Sequence, residues 1–246
     1  MYGKHPYLRK PSNSLQPLWR YLKYDRLVDL LSTESLFFPR LTQMSDQWEG
    51  LLSDRTRAEL FRHHYSQYHN AIIAREQIEQ YERHREDFFI NCWHMNDSES
   101  YLMWKAYGDR GCAVQSTFER IQISFDQFEG EILGGVVEYS DIGREQTPVG
   151  NVFHAVIRKG LPYRDEREFR LLFWQMGSGN QKIDAGPKGI KIEVELNKLI
   201  NEIWVSPQIK SSQSEIEMLV EQKKLDCRIR SSGVRQADTV RESEGH

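Results

Sequence analysis

The amino-acid sequence predicts an α+β fold with mixed, mostly antiparallel sheets. Three features carry that expectation. β-Like runs are concentrated in the second half, in "EILGGVVEYS", "EREFRLLFW", "IKIEVEL" and "NEIWVSP". Residues 53–87 hold no glycine or proline and are strongly charged, which marks a long helical segment, either one helix or two packed ones. Shorter helices with capping signals lie between the earlier strands.

Taken in order, residues 1–17 are polar and contain three prolines, so they read as an extended N-terminal arm. Leu18–Tyr21 reads as a strand. Asp25 can cap a helix running to about Thr33, with Leu27, Leu30 and Leu31 on its inner face. "SLFFPRL" is a strand with Pro39 at its end or edge, and "TQMSDQWEG" is a loop. After the helical segment, "DFFINCWHM" is a strand. Asn96 then caps a helix with Glu99 in the capping-box position, and that helix carries "SYLMWKAYG" and stops at Gly108. "GCAVQSTF" is the next strand, "NVFHAVIRKG" has a helical pattern, and "SSQSEIEMLVEQKKL" is a final helix before a short strand "CRIRSS". Residues 18–232 therefore read as a single α+β domain with 53–87 as a helical insertion. Residues 233–246 read as a disordered tail.

Composition restricts the function classes. The chain has 246 residues, 39% hydrophobic and 28% charged, with a formal net charge of -3. That balance gives no global attraction to nucleic acid or to an anionic membrane, and the basic residues are scattered rather than striped. No run of about 18 apolar residues exists to span a bilayer, so no membrane role is expected. The three cysteines, Cys92, Cys112 and Cys227, are far apart and form no CxxC pair. The start of the chain has no apolar signal region. Together these point to a cytoplasmic protein with reduced thiols. His63, His64 and His69 share a helical segment, but their spacing is poor for one face and no carboxylate completes a ligand set, so no metal is expected. "GSGNQ" at 177–181 lacks the strand-to-helix setting of a phosphate loop.

The candidate site residues come from three stretches. In "PYRDEREFRLLFW", strand alternation puts Glu166, Glu168 and Arg170 on one side and Phe169, Leu171 and Phe173 on the other. Those charges either meet water on a half-exposed strand or line a cleft, where paired carboxylates can orient a hydroxyl or stabilise a developing cation. In "SYLMWKAYG", Tyr101, Trp104 and Tyr107 are spaced three apart and share a helix face, as core or as a ligand platform. In "LWRYLKY", Arg20 faces opposite to Trp19 and Tyr21, either in solvent or inward, where it can hold a phosphate or carboxylate. Cys92 and His94 share one face of their strand, as core residues or as a nucleophilic pair.

The order of these segments resembles a bacterial family known as domain of unknown function 2971. "LWRYLKYDRLVDLLSTESLFFPRLTQMSDQWEG", "FFINCWHMNDSESYLMWKAYGDRGCAVQSTF", "YRDEREFRLLFW" and "INEIWVSP" carry the resemblance, over about residues 18–232. The family usually has Asn-Asp-Pro-Phe-Glu after the second strand; here Asp46, an aromatic residue and Glu49 remain and the proline does not. The layout also looks like that of ADP-ribosyltransferases. That likeness implies an ADP-ribosyltransferase-like core with NAD as substrate. It implies an anchor at Arg20, with Tyr21, Trp104, Tyr107 and Arg170 also in the binding site, and Glu168 as catalytic carboxylate with Glu166 as its partner. Such a protein would be a transferase or NAD glycohydrolase, as in a toxin-like or phage-defence effector, acting on a protein acceptor. The alternative is a non-catalytic module that binds a small molecule or a protein.

Overall fold

The computed structural model describes residues 1–177, 186–206, 208–209 and 213–234. Most of the "GSGNQ" stretch and residues 235–246 of the expected tail lie outside the described residues. Strands β1 (Pro17–Lys23), β2 (Ser35–Pro39), β3 (Phe88–Met95), β4 (Gly111–Thr117), β5 (Leu133–Val136) and β6 (Glu138–Ser140) are followed by β7 (Arg158–Gly160), β8 (Glu168–Trp174), β9 (Gly189–Glu193), β10 (Glu202–Val205) and β11 (Arg228–Ser231). The helices are α1 (Tyr24–Thr33), α2 (Asp54–Tyr68), α3 (Ala71–Arg83), α4 (Tyr101–Met103), α5 (Phe118–Ile123), α6 (Phe153–Val156), α7 (Leu196–Leu199) and α8 (Gln213–Gln222).

The main sheet has seven strands in the order β11-β10-β4-β1-β3-β8-β5. Every pair in it is antiparallel except β10 with β11. Two small ribbons, β2 with β9 and β6 with β7, complete the strands. The fold is thus α+β and mostly antiparallel, as expected.

Alternation along β8 divides two cores. Phe169, Leu171 and Phe173 join the larger cluster, with Leu18, Trp93, Val114 and Ile203. Leu172 faces the other way, into a second cluster with Phe88, Ile90, Leu133 and Phe153. The N-terminal segment lies against the sheet edge and is not extended throughout, because it turns at Pro6–Tyr7 and at Ser14–Leu15. Gly3 donates to the Ile132 carbonyl, Val136 donates to that of Arg9, and Leu8 is buried. Gly134 makes this close approach possible, because a Cβ there would stand 2.6 Å from the Tyr2 hydroxyl and 2.7 Å from the Phe169 ring.

The charged segment is two helices. His69 closes α2 in a left-handed conformation and Asn70 caps α3, its Oδ1 accepting from Ile72 and Ile73. A bidentate Arg57–Glu82 pair, at 2.7 and 2.9 Å, crosses between them. Glu82 also accepts from the Leu52 N–H, which ties the hairpin to the loop leading out of residues 46–50.

Three local expectations fail for identifiable reasons. Asp25 sits in the first turn of α1 without capping it, because β1 runs directly into the helix through Lys23. Asn96 caps no helix: Ser100 does, accepting from Met103, while the Glu99 carboxylate is taken by the Trp104 indole, the Ser232 hydroxyl and the Gly233 N–H. The helical pattern of "NVFHAVIRKG" holds only over Phe153–Val156, after which Arg158–Gly160 pairs with β6.

Candidate functional site

The main sheet forks at its centre. β1 pairs with β4 over its whole length but with β3 only at Leu18↔Met95 and Trp19↔His94. Beyond that point β3 turns to β2 instead. Arg40 bridges Phe89, and the Asn91 side chain donates to the Phe37 carbonyl at 2.9 Å. Arg20 is the first residue past the fork, and its Nη1 donates to the Cys92 carbonyl at 2.8 Å.

A cavity of about 200 Å³ opens at this fork. Arg20, Tyr21, Tyr107, Glu166 and Glu168 line it, so the structure brings five of the seven sequence-predicted site residues together. His94, Cys92 and Lys159 line it as well. Arg170 and Trp104 do not. Arg170 is buried behind Glu168, and Trp104 packs edge-to-face on Tyr21.

Glu166, Glu168 and Arg170 do not share one strand face. Arg167 adopts a left-handed backbone (φ 41°), which ends a 3-10 turn over Leu161–Glu166 and starts β8 at Glu168. Glu166 therefore leaves the alternation and reaches the cavity from the turn. Nor is β8 half-exposed, since Glu168–Phe173 are all buried.

Glu168 and Arg170 remain on one face and pair with each other there. Arg170 Nε meets Glu168 Oε1 at 2.7 Å and Nη2 meets Oε2 at 3.0 Å. Arg170 also donates to the Val156 carbonyl at 2.6 Å and contacts Glu49 at 2.7 Å. Lys159 joins Glu166 at 2.6 Å, Glu49 at 3.2 Å and Glu168 at 3.4 Å. Ion-pair contacts thus surround Glu49, although neither of its buried oxygens accepts a well-aligned hydrogen bond.

Each group's ionisation follows from this packing. Burial pushes the Glu168 carboxyl up, but the Arg170 guanidinium and then Lys159 outweigh it and hold the pKa at about 2. Burial opposes the Lys159 ammonium, yet Glu168 and Glu49 keep it well above the ordinary lysine value. Burial raises the Cys92 thiol well above its usual range, and nearby Glu168 adds to that, so a thiolate is disfavoured. Cys92 and His94 are consequently no nucleophilic pair: burial keeps the thiol protonated, while His94 Nδ1 lies 2.6 Å from the Glu166 carbonyl. Burial also lowers Arg20, to about 10.

The two carboxylates therefore differ in availability. Both Glu168 oxygens are taken by Arg170, and its side chain is 3% exposed. Glu166 accepts from Tyr107 on Oε1 at 2.8 Å and from Lys159 on Oε2 at 2.6 Å, and is 19% exposed. A carboxylate has about four lone-pair sites, so Glu166 retains acceptor capacity on the cavity.

The aromatic stripe is rearranged too. Trp104–Gly108 is a π-helical turn, which breaks the three-residue spacing. Trp104 is buried with Trp19 and Tyr21, whereas Tyr101 and Tyr107 are exposed. Gly108 lets the Trp104 ring lie against the backbone, where a Cβ would be 2.5 Å from it. Tyr21 holds this turn from below, its hydroxyl accepting from the Ser100 N–H at 2.7 Å.

No family model matches the chain, and no curated protein matches it. Among the described residues no His, Cys, Asp and Glu group could hold a metal ion, and no helix is long and apolar enough to cross a membrane. Lys159 carries no signal in the sequence, because it sits in a stretch with a helical pattern. Glu49 was signalled only by the family resemblance.

Proposed function

We propose that this chain is a cytoplasmic NAD-consuming enzyme, an ADP-ribosyltransferase or NAD glycohydrolase of the toxin-like or phage-defence kind. One observation carries the reading. Arg20 on the first strand, Tyr107 on the turn before β4 and Glu166 before β8 line one cavity at the sheet fork. The resemblance to ADP-ribosyltransferases calls for a cation, an aromatic residue and a carboxylate in that chain order.

In this reading Glu166 is the catalytic carboxylate, which transfers to it the role first expected of Glu168. Its free lone pairs accept from ribose hydroxyls and oppose the positive charge that develops as the C1′–N bond breaks. Nicotinamide leaves with the bonding electron pair. Water or a nucleophile of a protein acceptor then bonds to C1′ and releases its proton to solvent. Tyr107 and Lys159 fix Glu166 in place. Among the described residues Arg20 has no carboxylate within ion-pair distance and donates to the Cys92 carbonyl through Nη1, which suits an anionic part of the substrate. Arg170 acts at one remove, by holding Glu168.

The cavity's size favours a second reading, binding without chemistry. About 200 Å³ is small beside the ~300–1,000 Å³ of sites for drug-sized ligands. It would enclose one ring of NAD and leave the rest in the open mouth. Following nicotinamide release from NAD, with calorimetry in parallel, separates the two. Release that Glu166→Gln abolishes supports the enzyme; binding without release supports the module.

A further inference from the structure

Apart from the cavity, three cations line a second opening in the surface. Arg9 of the N-terminal segment joins Arg164 and Arg167, from the turn before β8, around an open cleft of about 420 Å³. That volume lies within the ~300–1,000 Å³ of small-molecule sites. The cleft and the cavity share no lining residue. The backbone separates them: Glu166 and Glu168 line the cavity, while the left-handed Arg167 between them lines the cleft.

Arg167 is held in place. Its carbonyl accepts from the Met95 N–H at 2.9 Å, and its Nη1 donates to Asn96 Oδ1 at 3.2 Å. A left-handed backbone is unusual for a residue with a side chain, and such strain gathers at ligand clamps. Arg9 is anchored through its backbone, its carbonyl accepting from the Val136 N–H at 2.8 Å. All three arginines are exposed, and among the described residues none forms an ion pair. Arg9 and Arg164 make no side-chain hydrogen bond either. Asp97 lines the same cleft and pairs with none of them.

A single unpaired surface arginine is ordinary. Three around one opening repel one another, and an anion among them relieves that repulsion. The planar guanidinium fork matches phosphate oxygens two at a time. The chain has a net charge of -3 and its other basic residues are scattered, so no basic stripe leads from the cleft along a polymer. We propose that this cleft is a second ligand site, which takes a small molecule bearing two or more phosphate groups between Arg9, Arg164 and Arg167. It does not rest on NAD turnover in the cavity.

The test is calorimetry of the full chain with inorganic triphosphate and with sulfate, at equal ionic strength. The wild type binds triphosphate at least about tenfold more tightly than sulfate, because several charge-assisted contacts form at once. Arg9→Gln and Arg164→Gln each weaken triphosphate about tenfold. Neither side chain has a partner in the fold, so both variants stay folded. Arg75→Gln, an exposed arginine on α3 outside the cleft, leaves the affinity unchanged. No triphosphate binding, equal affinity for the two anions, or the same loss in Arg75→Gln overturns the proposal. Unchanged affinity in both Arg9→Gln and Arg164→Gln puts the probe elsewhere and overturns it too. A short single-stranded oligonucleotide that binds more tightly than triphosphate, and depends on the same two arginines, overturns the choice of a small ligand.

Discussion

Glu168 and Arg170, two residues apart on one strand, clasp each other side-on inside the protein, at 2.7 and 3.0 Å. Strand geometry makes this possible, since alternate residues project to the same face. Both side chains face the second core, so each needs the other to be there at all. Breaking such a pair from one side leaves a buried charge uncompensated, at roughly 3–5 kcal/mol. Glu168→Gln is therefore expected to lower stability by about 3 kcal/mol, the low end because Glu49 still contacts Arg170. Urea unfolding checks this, and a loss under ~1 kcal/mol would contradict it.

Glu166 is expected to behave in the opposite way. Its side chain is part-exposed, and Lys159 keeps Glu49 and Glu168 when it is neutralised. Glu166→Gln should cost no more than about 1 kcal/mol, as for a pair near the surface. The same unfolding experiment on both variants measures the contrast.

Acid should expose the same network. Glu168 titrates at about 2 when folded against an ordinary 4.5. A carboxyl with a depressed folded pKa contributes stability that is complete above its unfolded value and lost as pH falls toward the folded one. Stability should therefore fall from about pH 4.5 down to about pH 2, and the Glu168→Gln variant should show a shallower fall. Denaturant midpoints taken across that window check both slopes.

Tyr21 is predicted to serve the site through the turn above it. Tyr21→Phe removes the acceptor for the Ser100 N–H and leaves that part-buried donor unpaired, at a cost of about 1–3 kcal/mol. Hydrogen exchange should quicken across Ser100–Gly108 while β8 stays protected. Uniform exchange in both variant and wild type would remove the link between Tyr21 and the turn.

Much of this fold is legible in the sequence. Leu27, Leu30 and Leu31 mark the inner face of α1, and Phe169, Leu171 and Phe173 mark the core face of β8. The site is less legible, because a few backbone choices override periodicity. A left-handed Arg167 takes Glu166 off the strand, and the π turn at Trp104–Gly108 separates Trp104 from Tyr107. Partners distant along the chain are hidden as well. Nothing in residues 45–50 or 151–160 announces that Glu49 and Lys159 will meet Arg170 and Glu168. Those contacts exist only once the two cores close around them.

The most direct measurement is nicotinamide release from NAD by wild type and Glu166→Gln, on protein whose unfolding midpoints match. The wild type should release nicotinamide, and Glu166→Gln should lose about 10²–10³-fold, as for removal of an electrostatic stabiliser of the transition state. No release by the wild type, or full release by Glu166→Gln, would contradict the reading of this cavity as an NAD-consuming site.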